Sequence, residues 1–138
     1  MAKLNPYLNF DNNCREAMTF YKDCLGGELS LQTVSEVPMM AAQMPPAMKN
    51  SILHSQLKSG DMVIMASDLN RDKRVVGNSV HLCISCDSEE ELNSFFSKLS
   101  VGGKVTDPLA DMPWGMSGAL TDKYGKHWIF NFDKTSKG

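Results

Sequence analysis

Apolar and polar positions along the chain follow one pattern twice. Residues 7–36 and residues 79–109 each show an alternating strand, a polar turn, a helical stripe with an aromatic pair, a glycine pair and a second strand. The aromatic pairs lie 75 positions apart and the glycine pairs 76. These landmarks are Phe20-Tyr21 with Phe95-Phe96, and Gly26-Gly27 with Gly102-Gly103. The near-constant offset predicts two copies of one supersecondary unit.

The first copy is predicted to contain one amphipathic helix from Ala17, because its apolar residues recur three and four positions apart. A helix N-cap is offered by Asp11, Asn12 or Asn13, and Gly26-Gly27 supplies the conformational freedom that a helix end needs. The predicted strands are Leu4–Phe10, Glu28–Ser35, Ile52–Lys58 and Met62–Ser67, with Ser59-Gly60-Asp61 as the hairpin turn between the last two.

The second copy is predicted to start its helix at a capping box formed by Ser88 and Glu91. Its predicted strands are 79–85, 103–109, 116–122 and 127–132, with Asp122–Gly125 as a tight turn. Each copy therefore has the order βαβββ, with a helix for only one face of its sheet. We expect an α+β fold in which the two units curl into one mixed eight-stranded sheet around a shared groove, with two outer helices.

The units are predicted to span residues 1–70 and 71–138 and to form one compact domain together. They differ most at residues 36–51, an insertion with three prolines and four of the ten methionines. Proline disfavours regular structure and methionine adapts to irregular apolar surfaces, so we expect an irregular loop there. It is either a lid over the groove or a surface loop packed on the body or on a dimer mate.

Composition limits the classes of partner. The net charge of −2 and scattered basic residues, with Arg71–Arg74 as the only cluster, argue against nucleic acid. No apolar stretch approaches the roughly 20 residues of a membrane span, and no signal sequence is evident, which favours the cytoplasm. Four cysteines are compatible with a reducing compartment, and Cys83-x-x-Cys86 lacks a second pair to complete a zinc set.

Strand parity predicts which side chains face the groove. On strand 79–85, Leu82 and Ile84 suit the helix side, which leaves His81 facing inward. Trp128 and Phe130 likewise pack outward, so that His127, Ile129 and Asn131 face the groove. Trp114, held between a proline and a glycine, is expected to stack on a ligand. The predicted ligand-binding set is Tyr7, Asn9, Ser67, His81, Trp114 and Asn131.

These residues resemble a known family. The chain carries N-F-D-x-N-C-R-E-A-x-x-F-Y-K-x-x-L-G-G-E at 9–28, D-M-V-I-M-A-S-D at 61–68, P-W-G at 113–115 and L-T-D-K-Y-G-K-H-W at 120–128. Together with the tandem units, these motifs resemble the vicinal oxygen chelate superfamily of glyoxalase I, extradiol dioxygenases and bleomycin-resistance proteins, and more narrowly its PhnB-like subgroup. The resemblance implies homodimers, some of which exchange units.

The resemblance also implies four metal-ligand positions, two in each unit. Carried over residue by residue, they fall on Tyr7, Met65, His81 and Ile129. Only His81 is a usual ligand, and Met and Ile offer nothing to a hard divalent cation. We therefore expect no metal and no other cofactor, and His81 remains the best candidate for an acid–base role.

Three functions follow from these observations. The first is a metal-free protein that binds a small molecule, as the drug-resistance members do. The alternative is a metal-dependent lyase, isomerase or dioxygenase with an altered ligand set, and the third is an interaction module with a vestigial groove. Methyl transfer has no support, because both glycine pairs follow helices instead of opening them.

Overall fold

The computed structural model describes residues 2–69 and 74–133. The chain divides into two compact units, residues 1–75 and 76–138. Each unit has the order βαβββ and a four-stranded mixed sheet, which confirms the predicted α+β class with tandem units. The eight strands thus lie in two sheets of four. Within the described residues, no helix has the length and apolarity that crossing a bilayer requires.

The first unit has strand order β1-β4-β3-β2, with β1 parallel to β4 and the other pairs antiparallel. Its elements are β1 (Tyr7–Asn9), α1 (Cys14–Leu25), β2 (Glu28–Thr33), α2 (Pro38–Gln43), β3 (Ile52–Ser59) and β4 (Met62–Ser67).

The second unit repeats this arrangement with strand order β5-β8-β7-β6, where only β5 and β8 are parallel. Its elements are β5 (Leu82–Ser85), α3 (Glu89–Leu99), β6 (Lys104–Met112), β7 (Gly115–Thr121) and β8 (His127–Asp133).

Strand ends differ from the prediction mainly where a strand lies at a sheet edge. The first strand is Tyr7–Asn9 rather than Leu4–Phe10, and the fifth starts at Leu82 rather than 79, so His81 lies just before it. The second strand stops at Thr33, where a 3₁₀ turn at Val34–Glu36 begins. Edge strands pair on one side only, so their ends lack the second row of hydrogen bonds that would extend them.

The insertion is more regular than predicted. Residues 38–43 form α2, and a 3₁₀ turn follows at Pro46–Met48. The expectation of an irregular loop was wrong because Pro38 and Pro46 each stand at the start of a helical turn. At that position the missing N–H costs nothing and the fixed φ favours the helix.

Helix α1 packs on the first sheet through an apolar stripe that includes Ala17, Met18 and Tyr21, all fully buried. It ends at Gly26, whose φ is 78°. Gly27 then takes φ 93°, and a Cβ there would collide with the carbonyl of Lys58. The glycine pair therefore caps the helix and admits the close start of β2, as the sequence indicated.

The first turn of α1 is capped from a distance. Asn13 occupies the N-cap position, but its side chain makes no capping hydrogen bond. Instead, the buried carboxylate of Asp68 accepts from the Cys14 N–H at 2.9 Å and from the Ile52 N–H at 2.8 Å. The predicted N-cap position is therefore confirmed at Asn13, but the acceptor is supplied by a residue 54 positions from Cys14 and not by the Asn13 side chain.

In the second unit, the start of α3 and the turn after β7 are stabilised by hydrogen bonds between residues close in sequence. Ser88 Oγ accepts from the Glu91 N–H at 3.1 Å, which confirms the predicted capping box. In the turn after β7, Asp122 Oδ1 accepts from the N–H groups of Tyr124 and Lys126, and Asp122 Oδ2 accepts from Trp128 Nε1 at 2.8 Å. The predicted turn at Asp122–Gly125 is thereby confirmed, with a buried carboxylate at its centre.

The alternation of the strands gives each sheet one helix-covered face and one open face. In β8, Trp128 and Phe130 are buried beneath α3, whereas Ile129 between them is 37% exposed. In β1 and the residue after it, Phe10 is buried while Tyr7 is 47% exposed. The burial of these residues agrees with the parity predicted from sequence for β8 and β1.

The four cysteines are free thiols, and only Cys83 is exposed. Burial raises the pKa of the Cys14 thiol to about 11, and the nearby Asp68 adds to the rise. Burial also raises the pKa of Cys86 to about 12, with further contributions from Glu91 and Asp87. At neutral pH these buried thiols stay protonated and unreactive.

We expect Asp68→Ala and Asp122→Ala each to lower the free energy of unfolding by about 3 kcal/mol, because each leaves buried N–H donors without an acceptor. Chemical denaturation monitored by circular dichroism measures the loss. Asp23→Ala on the exposed side of α1 is the control and should change stability by less than about 0.5 kcal/mol. Equal effects of the three substitutions would contradict the role given to the buried carboxylates.

We expect one thiol per native chain to react rapidly with a disulfide reagent such as Ellman's, because only Cys83 is exposed. Cys83→Ser should remove the fast phase, and denaturant should release the three remaining thiols. Rapid reaction of two or more thiols in the native protein would show that the buried cysteines are accessible.

Candidate functional site

The open face of the second sheet carries three rows of side chains that run across its strands. Cross-strand partners share a face, so the register assigns the rows directly. The first row is Lys104, Thr121 and His127, and His81, the residue before β5, lies beside His127. The middle row is Asp107, Ala119, Ile129 and Cys83. The third row is Ala110, Ser117, Asn131 and Ser85. An apolar centre at Ala119 and Ile129 is therefore flanked by two polar rows.

Two imidazoles dominate the first row. The ring centroids of His81 and His127 lie 5.3 Å apart with their planes at 38°. His127 Nε2 lies 3.0 Å from the carbonyl oxygen of Gly77, and Nδ1 lies 2.8 Å from Thr121 Oγ1. Because a carbonyl only accepts, Nε2 carries a proton and the neutral ring accepts from Thr121 through Nδ1. Both nitrogens of His127 are thus engaged within the second unit.

His81 differs from His127 in that its imidazole is exposed and makes no hydrogen bond to the residues that the structure describes. Its ring lies against a neighbour whose own orientation is fixed at both nitrogens. One nitrogen of neutral His81 can donate and the other can accept. His81 therefore has hydrogen-bonding capacity to offer a ligand on this face.

The third row presents amide and hydroxyl groups. Asn131 Nδ2 donates a weak hydrogen bond to Cys83 Sγ at 3.9 Å, and Ser117 and Ser85 lie to either side of Asn131 in the register. Residues 127 and 131 are four apart on β8, so the two polar rows are separated by roughly 13 Å at 3.3 Å per residue.

Trp114 lies at the tip of the hairpin between β6 and β7 and is 44% exposed. In the register, Gly115 pairs with Asp133, whereas Thr121 pairs with His127. Trp114 and His81 are therefore near opposite ends of the second sheet, about 20 Å apart along the strands. Asn131 lies nearer to the Trp114 end.

In the first unit, the open face carries Tyr7 beside Met65, and Gln56 lies on the other side of Met65. The rings of Tyr7 and His54 are 6.0 Å apart with their planes at 34°. This face resembles the one in the second unit in combining an aromatic ring, an imidazole and an apolar side chain.

The other two predicted site residues of the first unit lie at strand ends, Asn9 at the end of the edge strand β1 and Ser67 at the end of its neighbour β4. Asn9 is exposed, and its carbonyl oxygen accepts from Arg74 Nη1 at 3.1 Å. Ser67 is only 3% exposed, and its hydroxyl oxygen accepts from the Leu69 N–H at 3.2 Å. The remainder of the Arg71–Arg74 cluster, residues 71–73, lies outside the described residues.

The positions of the four implied metal ligands can be compared with what a divalent cation needs. Tyr7 and Met65 lie opposite each other on neighbouring strands of the first sheet. In the second sheet, Ile129 lies opposite Cys83, which follows His81 by two residues. A phenol, a thioether, an imidazole and an alkyl group do not make a ligand set for a divalent cation. Among the residues that the structure describes, no group of three or more His, Cys, Asp or Glu side chains could hold a metal ion.

A cleft of about 360 Å³ lies in the first unit beside the start of α1. Ser51 Oγ donates to Asn12 Oδ1 at 2.8 Å on its wall, and Asn12 adopts a left-handed backbone with φ 66°. The lining residues are Asn12, Asn13, Arg15, Glu16, Ala47, Asn50, Ser51 and Asp68. Sequence analysis missed this cleft because its walls come from three segments that no local pattern connects.

Comparison with known proteins agrees with this architecture. The family model described as 3-demethylubiquinone-9 3-methyltransferase matches residues 2–130. The protein YjdN of Escherichia coli (strain K12) is 29% identical over 140 residues, which cover 95% of each chain. The crystal structure of protein PA1353 from Pseudomonas aeruginosa is 31% identical, with a TM-score of 0.84 and coverage of 96% of this chain and 98% of that chain.

Two further solved structures extend the comparison at the level of the fold. A PhnB protein from Bacillus cereus, titled a putative 3-demethylubiquinone-9 3-methyltransferase, is 24% identical with a TM-score of 0.70 and covers 95% of this chain and 99% of its own. A glyoxalase/bleomycin resistance protein from Albidiferax ferrireducens T118 is 15% identical with a TM-score of 0.66, over 93% and 95% of the two chains. The chain therefore belongs to the PhnB-like family described as 3-demethylubiquinone-9 3-methyltransferase, within the vicinal oxygen chelate fold.

Proposed function

We propose that this protein binds a small, partly apolar molecule on the open face of its second sheet. The observation that carries the proposal is the sequence of rows on that face: an imidazole row, a middle row with an apolar centre at Ala119 and Ile129 and with Asp107 at its β6 end, and an amide–hydroxyl row. A ligand with an apolar body and a polar atom at each end, roughly 13 Å long, matches this spacing. Tyr7, His54 and Met65 offer a comparable surface on the first sheet.

His81 is the residue that orients the ligand in this proposal. The ring of His127 cannot turn without losing its bonds to Thr121 and Gly77, and it supports the ring of His81 from one side. Lys104 stands at the far end of the same row, about 15 Å across three strand spacings. The imidazole of His81, the distant ammonium of Lys104 and the Asp107 carboxylate in the next row give this face little net positive charge, which favours a neutral or weakly anionic ligand over a multiply charged phosphate.

Methyl transfer, which the description of the family names, is not part of the proposal. The strand-to-helix turns before α1 and α3 contain no glycine, which a nucleoside cofactor would need for close backbone approach. One amide in the first turn of each helix is also engaged, since Asp68 accepts from the Cys14 N–H and Ser88 accepts from the Glu91 N–H. These turns do not fit S-adenosylmethionine.

We further propose that the protein works as a homodimer in a reducing compartment, the cytoplasm. Taken by itself, each described sheet has two edge strands and one open face, which are surfaces that a second copy can cover, and four free thiols are suited to reducing conditions.

We expect His81→Ala and Asn131→Ala each to raise the dissociation constant of the ligand at least about fivefold, because each removes one of the two polar groups that bind it. Ligands are found by thermal-shift screening of a small-molecule library, and affinities are measured by isothermal titration calorimetry. Asn93→Ala, on the exposed side of α3, is the matched control and should leave affinity unchanged.

Two further variants show how far the ligand reaches. Trp114→Ala should lower the affinity only of ligands long enough to approach that end of the second sheet. Tyr7→Phe measures whether the Tyr7 hydroxyl on the first sheet contributes to ligand affinity. Affinities that are unaffected by both His81→Ala and Asn131→Ala would overturn the assignment of the site.

We expect the protein to retain far less than one metal ion per chain after incubation with Zn²⁺, Ni²⁺, Mn²⁺ or Fe²⁺ and desalting, because three of the four implied positions lack a suitable donor. Inductively coupled plasma mass spectrometry gives the stoichiometry. One ion per chain that disappears in His81→Ala would instead support a metal-dependent lyase, isomerase or dioxygenase.

A further inference from the structure

The edge strands of the two sheets differ in how well they are protected from pairing with another strand. In the described part of the chain, β1, β2, β5 and β6 each pair on one side only. Two of them are short, with three residues in β1 and four in β5. β6 is long but contains Pro108, and its register shifts twice. Shortness, proline and bulges are the usual devices that prevent edge-to-edge association.

β2 has none of these devices along most of its length. It has six residues with the sequence E-L-S-L-Q-T, without proline and with Glu28 as its only charge. Its pairing with β3 is regular from Glu28 to Gln32, and the register shifts only between Gln32 and Thr33. Along the five consecutive residues 28–32, alternate residues thus direct their backbone N–H and C=O groups outward from the sheet.

From this contrast we infer that β2 pairs antiparallel with β2 of a second copy of this chain, which joins two first-unit sheets into one. The inference rests on the proposed homodimer and adds the surface that forms it. It does not depend on the ligand site of the second sheet.

Symmetry and side-chain parity select one register for this pairing. Residues opposite each other across an antiparallel pair share a face, so the two-fold axis must pass through a residue position. With the axis at Ser30, all five regular residues are paired: Leu29 lies opposite Leu31 of the second copy, and Glu28 lies opposite Gln32. No like charges then face each other. An axis at Leu31 would leave Glu28 unpaired and would include Thr33 beyond the register shift.

The helices leave room for this arrangement. α1 packs mainly on β3, the neighbour of β2. In the joined sheet the two copies of β3 would be three strand spacings apart, about 14 Å. Two helices of about 10 Å diameter can lie side by side at that distance. The half-buried Leu29 and Leu31 would then be covered by the same residues of the second copy.

A charged residue in place of Ser30 tests both the use of β2 as the interface and the proposed register. Ser30 is exposed, and in this register it lies opposite Ser30 of the second copy. We expect Ser30→Lys to raise the dimer dissociation constant at least tenfold, and Ser30→Glu to do the same, since each places like charges about 5 Å apart. Mixing the two variants should restore a heterodimer. Sedimentation equilibrium gives the masses, and native mass spectrometry distinguishes the heterodimer.

Thr106→Lys is the matched control, because Thr106 is an exposed polar residue on the edge strand β6. It should leave the dissociation constant unchanged, and all variants should keep the wild-type circular dichroism spectrum. A wild-type dimer that is unaffected by Ser30→Lys, or that is dissociated equally by Thr106→Lys, overturns the inference but not the homodimer. A wild-type monomer at tens of micromolar overturns both, while ligand affinity tests the proposed function separately.

Discussion

The buried carboxylate of Asp68 is the interaction on which the first unit depends. It follows β4 and bonds the first amide of α1 and the first amide of β3, so it fixes three elements from one point. A carboxylate buried at this depth is tolerated only when N–H donors replace its water. Asp122 has the same role on a shorter scale in the second unit, where it holds a turn and the indole of Trp128. In each unit a buried aspartate thus fixes elements next to the helix-covered face of the sheet, and the opposite face is left open.

Local pattern predicted most of the architecture. The hydrophobic alternation predicted the correct face for Trp128, Ile129 and Phe130 in β8 and for Tyr7, and the capping box at Ser88 was visible in the sequence. The cap of α1 could not be predicted in the same way, because Asp68 reaches it across 54 positions. The insertion was mistaken for a loop because a proline reads as a helix breaker unless its position in the first turn is known.

The candidate site shows the same division between local and long-range information. Parity predicted that His81, Asn131 and Tyr7 lie on open faces, but it could not give their order across strands. The order follows from the pairing register of the strands in the structure. The same register shows that Trp114 and His81 are separated by most of the length of a strand. The partnership of His81 with His127 also depends on register, because 46 positions separate them in the chain. The fold of the family is kept here, and among the described residues no group of three or more His, Cys, Asp or Glu side chains could hold a metal ion.

The two tryptophans have a consequence for how the molecule can be observed. Both lie in the second unit, Trp128 in its core and Trp114 at the tip of a hairpin. Emission from Trp128 is expected at shorter wavelength than emission from Trp114, since Trp128 is buried away from water. The first unit contains no tryptophan, so intrinsic emission reports directly on only half of the molecule. Should the units melt at different temperatures, a fluorescence transition would record the second and leave the first to be followed through its tyrosines or its amide signals.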